Sequence, residues 1–246
     1  DGQQGEITTA RPAAKKRPKP PPGARKARLP DRIRPQLATL VDQPPDGEEW
    51  LTEIKYDGYR LLARLDNGEV RLITRNGLDW TAKFPAQAQA IARLPAGTAL
   101  IDGELVALAA DGTTRFAELQ DLTASGKTDG LVYVAFDLLY RDGYDLTGVA
   151  QERRKTALAE IIAGKAQGIV RYSDHHIGRG PDFFRHACRL RLEGIVLKRR
   201  DEPYHPGRST DWLKVKCLTR DEFVIIGFTD PAGSRSGLGA LLLGYY

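Results

Sequence analysis

The sequence predicts an α+β fold with antiparallel sheets, and two patterns carry that prediction. Alternating apolar runs at 59–65 and 69–75 flank Asp66-Asn67-Gly68, a strong hairpin signal. Apolar strand-like runs at 99–108, 131–140 and 193–198 are interleaved with helical patterns at 84–94, 115–124, 146–163 and 181–192. Hairpins mixed with a few helices indicate α+β layering. A last pair of apolar runs, 223–228 and 240–245 around a Gly/Ser loop at 230–239, reads as the first hairpin of a second, small β domain.

With 246 residues, 41% of them hydrophobic, the chain can bury one large core or two smaller ones. The net charge of +5 is compatible with a polyanionic partner, although part of the excess sits in one tail. Two cysteines, Cys188 and Cys217, are too few for a disulfide framework or a four-cysteine zinc site, and both read as buried thiols of a reducing compartment. No apolar run approaches the roughly 18 residues of a membrane span. No signal-peptide hydrophobic region is present at the start.

In order along the chain, residues 1–29 are polar and then rich in Pro, Lys and Arg. That composition favours an extended, solvated linker or tail, with non-specific DNA contact as a secondary role. A linker here suggests that another domain precedes it. A proline-bracketed extended stretch at 30–40 opens the folded part, and a strand at 50–56 leads into Lys55. Asp102 and Glu104 interrupt the apolar run at 99–108, where charges are costly unless paired, ligated or turned to water at a bulge. Phe136, inside 131–140, is either core or a flat wall for a nucleobase. In the 146–163 helix, Thr147 is a candidate cap and the charged run 151–155 reads as a solvated face. His175 and His176 are adjacent on a strand and point to opposite faces, which argues against a shared metal. Tyr204, Arg208, Ser209 and Trp212 fall in an irregular stretch. On a strand at 212–216, Lys214 and Lys216 share one face while Leu213 and Val215 share the other. Neighbouring ammonium groups make sense around an anion such as a triphosphate; the competing reading is an edge strand guarded by lysines.

The chemically loaded stretch is Glu53-Ile54-Lys55-Tyr56-Asp57-Gly58-Tyr59-Arg60. It reads as a lysine placed to attack phosphorus. A nucleophilic lysine must be neutral, yet with a pKa of about 10.4 only roughly one in a thousand is neutral at about pH 7.4. Desolvation or nearby cations must favour the free amine, and Lys198, Lys214 and Lys216 are the candidate neighbours. Asp57 can hold a metal or orient the amine. Gly58 lets the backbone turn tightly beside a ligand. Arg60 offers a planar donor fork to a sugar or phosphate. Arg75, at the end of the hairpin, can reach phosphate. The competing reading is a turn between two strands with Lys55 solvated.

Five segments in order carry a resemblance: Lys-Tyr-Asp-Gly-Tyr-Arg at 55–60, Asp-Gly-Glu at 102–104, Phe136 in Ala-Phe-Asp-Leu-Leu, Glu-Gly-Ile-Val-Leu-Lys at 193–198 and Trp-Leu-Lys-Val-Lys at 212–216. They resemble the nucleotidyltransferase motifs of ATP-dependent DNA ligases, over residues from about 30 to 246. The opening at 29–40, the Pro/Lys-rich linker and the Gly-Ser-Arg-Ser-Gly-Leu-Gly-Ala-Leu-Leu-Leu-Gly run at 233–244 are similar to the ligase domain of bacterial ligase D, a family of end-joining ligases.

The resemblance implies an adenylation domain at 30–219, its ATP cleft between the sheets, between the 1–29 linker and an OB-type domain beginning at 220–246. It implies that Lys55 attacks the α-phosphorus of ATP and becomes AMP-linked. Glu53 would contact the adenine amino group and Phe136 would stack on the ring, with Ile54 beside them in the nucleotide site. Arg60 and Glu104 would hold the ribose. Arg75 and Lys198 would face phosphates. Lys214 and Lys216 would grip phosphates, stabilise the transition state and help keep Lys55 neutral. Asp57, Glu104 and Glu193 are the implied carboxylates for Mg²⁺ or Mn²⁺, directly or through water. Arg208 and Trp212 fit the pattern before the last lysine pair. The implied partners are nicked or broken double-stranded DNA, held largely through phosphates and so weakened by salt, a Ku protein, and attached phosphoesterase and polymerase domains. The implied setting is the cytoplasm, at the bacterial nucleoid, with no membrane role.

Only the first hairpin of the five-stranded OB-type domain lies in this sequence, so weak self-adenylation and poor nick sealing are expected of it unless the polypeptide is longer. An RNA ligase and an mRNA-capping guanylyltransferase share the lysine motif, and a DNA-binding module could retain the scaffold alone. An NAD-dependent ligase is disfavoured, because its zinc module needs four cysteines.

Overall fold

A computed structural model of the chain describes residues 19–109, 111–162, 168–217, 223–231 and 237–245. The expectations for 1–18, for the end of the 146–163 helix and for much of the 230–239 loop lie outside the described residues. The chain divides into two compact units, 1–216 and 217–246.

The larger unit runs β1 (Arg25–Lys26), β2 (Gln36–Leu40), β3 (Trp50–Ile54), β4 (Tyr59–Asp66), β5 (Glu69–Thr74), α1 (Pro85–Ala92), β6 (Thr98–Val106), α2 (Phe116–Ala124), β7 (Val132–Arg141), β8 (Tyr144–Asp145), α3 (Gln151–Ile162), β9 (Val170–Tyr172), β10 (His175–Ile177), α4 (Gly180–Arg189), β11 (Gly194–Arg199) and β12 (Gly207–Lys216). One sheet has the strand order β1-β8-β7-β6-β4-β5, with β9 also on β7; the other has the order β10-β3-β11-β12-β2. The α+β expectation holds, and most pairings are antiparallel. Two are parallel, β7 with β9 and β12 with β2, so both sheets are mixed. β1 lies inside the stretch read as linker and pairs with β8.

Alternation along the strands divides the core into layers. Odd positions of β4 and β6, such as Leu61, Ala63, Ala99 and Ile101, face α1, α2 and α3, where Phe84, Ile91, Leu119, Leu158 and Ile161 are buried against them. Positions of opposite parity, Leu62 and Leu100, face the other way and meet Tyr204 and Trp212 between the two sheets. The outer face of the second sheet packs Ile195, Leu197 and Val215 with Ala187 of α4. The β4–β5 hairpin turns at Asn67 (φ 50°) and Gly68 (φ 95°), the positive φ pair that an Asn-Gly turn supplies.

Three readings are corrected here. The helix read as 146–163 begins at Gln151, and Thr147 instead sits in a turn held by Asp145. The run 151–155 is not a uniformly solvated face: Gln151, Arg154 and Lys155 are all 0% exposed. They continue, one turn earlier, the buried stripe of Ala157, Leu158, Ile161 and Ile162. The cysteines are not free thiols: Cys188 and Cys217 are each disulfide-bonded.

The smaller unit contains β13 (Val224–Thr229) and β14 (Ala240–Gly244), paired antiparallel, with Ile225, Phe228 and Leu243 among its exposed apolar side chains. Among the described residues no helix is long and apolar enough to cross a membrane.

Candidate active site

Three neighbouring strands of the second sheet build one wall of a cleft. The β3–β11 register places Glu53 opposite Val196, and the β11–β12 register places Val196 opposite Lys214 and Lys198 opposite Trp212. Period-two alternation then puts Glu53, Lys198, Trp212 and Lys214 on the same face. The backbone N–H of Lys55 donates to the Gly194 carbonyl (3.0 Å), which carries the β3 geometry one residue past the strand end. The opposite wall comes from β4, β6 and β7 through Arg60, Glu104 and Phe136, and the cleft holds about 510 Å³.

The inner end of the cleft is dry. Glu53 is 2% exposed, and its Oε1 lies 2.9 Å from Lys198 Nζ and 3.2 Å from Lys155 Nζ. Its Oε2 accepts a hydrogen bond from the Ser173 hydroxyl (2.7 Å). Burial alone pushes this carboxyl up, but the Lys155 charge, then Lys198, and the Ser173 bond outweigh it and hold Glu53 below the ordinary carboxylate range. Lys198 also donates to the Phe136 carbonyl (3.2 Å) and lies over the rings of Phe136 (4.5 Å) and Trp212 (4.4 Å). The expectation that Lys198 faces phosphate is thus corrected: its ammonium is buried against Glu53 at the aromatic end. The ring of Phe136 meets Trp212 edge-on at 6.1 Å and is partly open to the cleft.

A second buried pair lies next to the first. Arg154 clamps Asp137 through Nε–Oδ1 (2.9 Å) and Nη2–Oδ2 (3.0 Å), and its Nη1 donates to the Val149 carbonyl. Gln151 Oε1 accepts from Arg154 (2.8 Å) and from the Trp212 indole (3.1 Å). For Asp137 too, burial is overridden by the arginine, and the carboxyl sits below its ordinary range.

The outer end is wetter and richer in cations. Lys55 Nζ sits 2.5 Å from Glu193 Oε2, and Lys216 Nζ sits 3.1 Å from Glu193 Oε1. Lys214 is held below the ordinary lysine range by burial and then by the charges of Lys55, Lys216 and Arg208. Asp57 is pushed up by burial and by the charge of Glu193. Burial pushes the Glu104 carboxyl up to about 8, against the pull of Arg60 and Lys55. Arg75 is exposed at the cleft rim.

Arg60 is less free than the sequence implies. It forms a bidentate pair with buried Asp102 (2.9 and 2.6 Å) and donates to the Gln36 carbonyl (2.6 Å), while its guanidinium lies 5.2 Å from the Phe136 centroid. Tyr204 donates to the same Asp102 at 2.8 Å. So Asp102 does not point to water; only Glu104 opens to the cleft. Gly58 is required by packing: a Cβ there would meet the Leu105 carbonyl oxygen at 2.1 Å, so its close neighbour is β6.

Of the residues singled out in the sequence, Glu53, Ile54, Lys55, Arg60, Arg75, Glu104, Phe136, Lys198, Lys214, Arg208 and Trp212 line this cleft. Glu193 and Lys216 join it through the Lys55 contact. Asp57, Glu104 and Glu193 do not gather into one three-ligand set. Among the described residues the side chains that converge within 4.8 Å at metal-ligand spacing are Glu202, His205 and Asp211. Lys155 and Ser173 were not anticipated. The signal for Lys155 was its place on the helical stripe that ends at Ile162.

Two facing sheets around a cleft, with a lysine between an aromatic pocket and a cationic rim, define a nucleotidyltransferase of the ligase type. The family model described as the ATP dependent DNA ligase domain matches residues 35–216, and the chain belongs to that family. It is 44% identical over 246 residues to the multifunctional non-homologous end joining protein LigD of Pseudomonas aeruginosa, a match covering 99% of this chain and 29% of that protein. Its fold matches the ligase domain of Mycobacterium tuberculosis LigD with a TM-score of 0.67 and 33% identity, covering 86% of this chain and 68% of that one. A mycobacterial DNA ligase D complexed with ATP and MES matches at the same TM-score and identity, over 86% of this chain and 67% of that one. The chain therefore spans under a third of the length of the P. aeruginosa relative. These matches do not favour the RNA-ligase, capping-enzyme or non-catalytic readings.

Proposed function

We propose that this domain seals breaks in double-stranded DNA through a covalent lysyl-AMP on Lys55, as part of an end-joining protein of the LigD kind. The observation that carries the reading is the place of Lys55. It stands where the buried base-sized end of the cleft meets the cluster of Lys214, Lys216 and Glu193.

In the first step the Nζ lone pair of Lys55 forms a bond to the α-phosphorus of ATP. The α–β bridging P–O bond breaks, pyrophosphate leaves, and the amine loses a proton. AMP then passes to a DNA 5′-phosphate, and a 3′-hydroxyl displaces it to close the strand. Phosphoryl transfer depends mainly on positioning and charge stabilisation. Glu53 and Phe136 position the base, with Ile54 beside it. Arg60, fixed by Asp102, presents its remaining donors with Glu104 toward the sugar. Lys214, Lys216 and Arg75 carry the phosphate charge. Lys55 must leave Glu193 to attack.

Asp57, Glu104 and Glu193 offer the hard oxygen donors that Mg²⁺ or Mn²⁺ takes. The mutual charge effects among these carboxylates fit an additional cation, with contacts made singly or through water. Bound there, such an ion would neutralise phosphate charge. Ku, and phosphoesterase and polymerase domains joined by the 1–29 linker, are the partners that fit an end-joining role, with 220–246 opening an OB-type domain. Work at the bacterial nucleoid belongs to the same reading.

The test is incubation with ATP labelled on the α-phosphate and a divalent metal, followed by a denaturing gel. Wild type retains label and Lys55→Ala does not. Absence of label on wild type, even with the complete C-terminal domain attached, would overturn the reading.

A further inference from the structure

We propose that Lys155 is a positioning residue for base selection, fixing Glu53 from behind the cleft wall as an acceptor-only carboxylate that reads the 6-amino group of an adenine-type base. The inference rests on the proposed function, in which Glu53 meets the base.

Lys155 is 0% exposed and does not line the cleft, so it cannot touch a nucleotide and any effect it has on one passes through its contacts. Those contacts are few and directional. Its Nζ donates to the Ser173 carbonyl (2.5 Å), lies over the Tyr172 ring (4.2 Å to the centroid) and faces Glu53 Oε1 (3.2 Å). Ser173 in turn donates its hydroxyl to Glu53 Oε2 (2.7 Å). One ammonium thus holds the carboxylate directly and also holds the residue that caps its other oxygen.

The acceptor count then decides what base edge fits. An ionised carboxylate offers about four lone-pair directions and no donor. Lys155 and Lys198 face Oε1 at ion-pair distance without making a hydrogen bond to it, so they hold this oxygen by charge, and Ser173 takes one direction of Oε2. What remains on Oε2 can accept from an amino group. A carbonyl at the same place would set lone pairs against lone pairs unless Glu53 were protonated. The two ammonium groups suppress that escape by holding the carboxyl below its ordinary range.

The same helix turn fixes the rest of the base pocket. Arg154 holds Asp137, next in sequence to Phe136, and Gln151 holds the indole of Trp212. Lys198 is a poorer probe, because it lines the cleft itself and touches both aromatic rings.

The experiment compares wild type, Lys155→Met and Lys155→Arg in the full polypeptide. Covalent nucleotide adducts are timed by intact-protein mass with ATP and with purine riboside triphosphate, which lacks the 6-amino group. For Lys155→Met the preference for ATP over the deamino analogue falls about tenfold, the worth of one charge-assisted hydrogen bond, and the change appears in KM rather than kcat. Lys155→Arg recovers part of the preference. Equal losses with both triphosphates would show a merely structural role and overturn the inference. So would a wild type that forms adducts but does not distinguish the two triphosphates. Should Lys155→Met fail to fold, Lys155→Gln decides: it lowers the same preference if the ammonium sets Glu53, and leaves it unchanged if not. A wild type that forms no adduct with either triphosphate removes the proposed function itself, and the inference falls with it.

Discussion

The two ends of the cleft are built on the same plan, a glutamate shared by two lysines, yet they behave differently because one is dry and the other is not. At the inner end Glu53 is shared by Lys155 and Lys198, all three at most 2% exposed, and Asp137 is clamped by Arg154 in the same dry layer. At the outer end Glu193 is shared by Lys55 and Lys216, whose side chains are 19% and 50% exposed. Buried partners cannot trade their contacts for water, so removing one leaves an uncompensated charge. Partners at a wet rim exchange cheaply, because exposed ion pairs contribute little. The inner end is thereby suited to holding a fixed shape, and the outer end to releasing a lysine.

The largest effect expected from breaking this contrast is chemical. Lys55→Ala removes the attacking amine, so covalent labelling from α-labelled ATP should vanish while the fold survives. Retained label in that variant would move the nucleophile elsewhere. Next is the buried arginine pair. Asp137→Ala leaves Arg154 charged and unpaired in the core and should cost about 3–5 kcal/mol in urea unfolding. A loss under about 1 kcal/mol would mean that water reaches this layer.

The pH dependence sharpens the same point. Glu53 and Asp137 are both held below the ordinary carboxylate range in the folded state. The unfolded chain then binds more protons on acidification, so the stability they contribute is present at neutral pH and is lost as pH falls below about 4. Urea midpoints measured from neutral to acid pH should fall less steeply for Asp137→Ala than for wild type. Parallel acid limbs would contradict the assignment.

Lys155 shifts in the same direction but in a higher pH window, and for a different reason. Burial lowers it to about 8, despite the pull of Glu53. The unfolded chain again binds more protons between about 8 and the ordinary lysine range, so wild type should gain stability relative to Lys155→Met as pH rises through that window. The smallest effect belongs to the rim. Lys216→Ala should change stability by less than about 1 kcal/mol, while slowing adenylation by about a hundredfold if it stabilises the transition state. A large stability loss with normal labelling would reverse the roles given to the two ends.

Much of this site was legible in linear order. The Asp-Asn-Gly turn set the β4–β5 register, and alternation put Lys214 and Lys216 on the face opposite Leu213 and Val215. Lys55, followed at once by a hairpin, marked the place where chemistry is concentrated. These are local properties, carried by φ preference and by the period of a strand, and they survive in any tertiary setting. The partners of the charges were not legible. Lys155 looked like a solvated residue until the helix stripe behind it was buried. Lys198 looked like a phosphate ligand until β3 and β11 brought it to Glu53. Asp102 looked free to face water until it met Arg60 and Tyr204. The sequence alone determined where the strands turn, which residues share a face and which stretch bears the nucleophile. Tertiary structure decided which charges are dry. Burial and pairing come from residues on different elements, often far apart in the chain, and a charge acquires its role from the dielectric and the counter-charge it meets there.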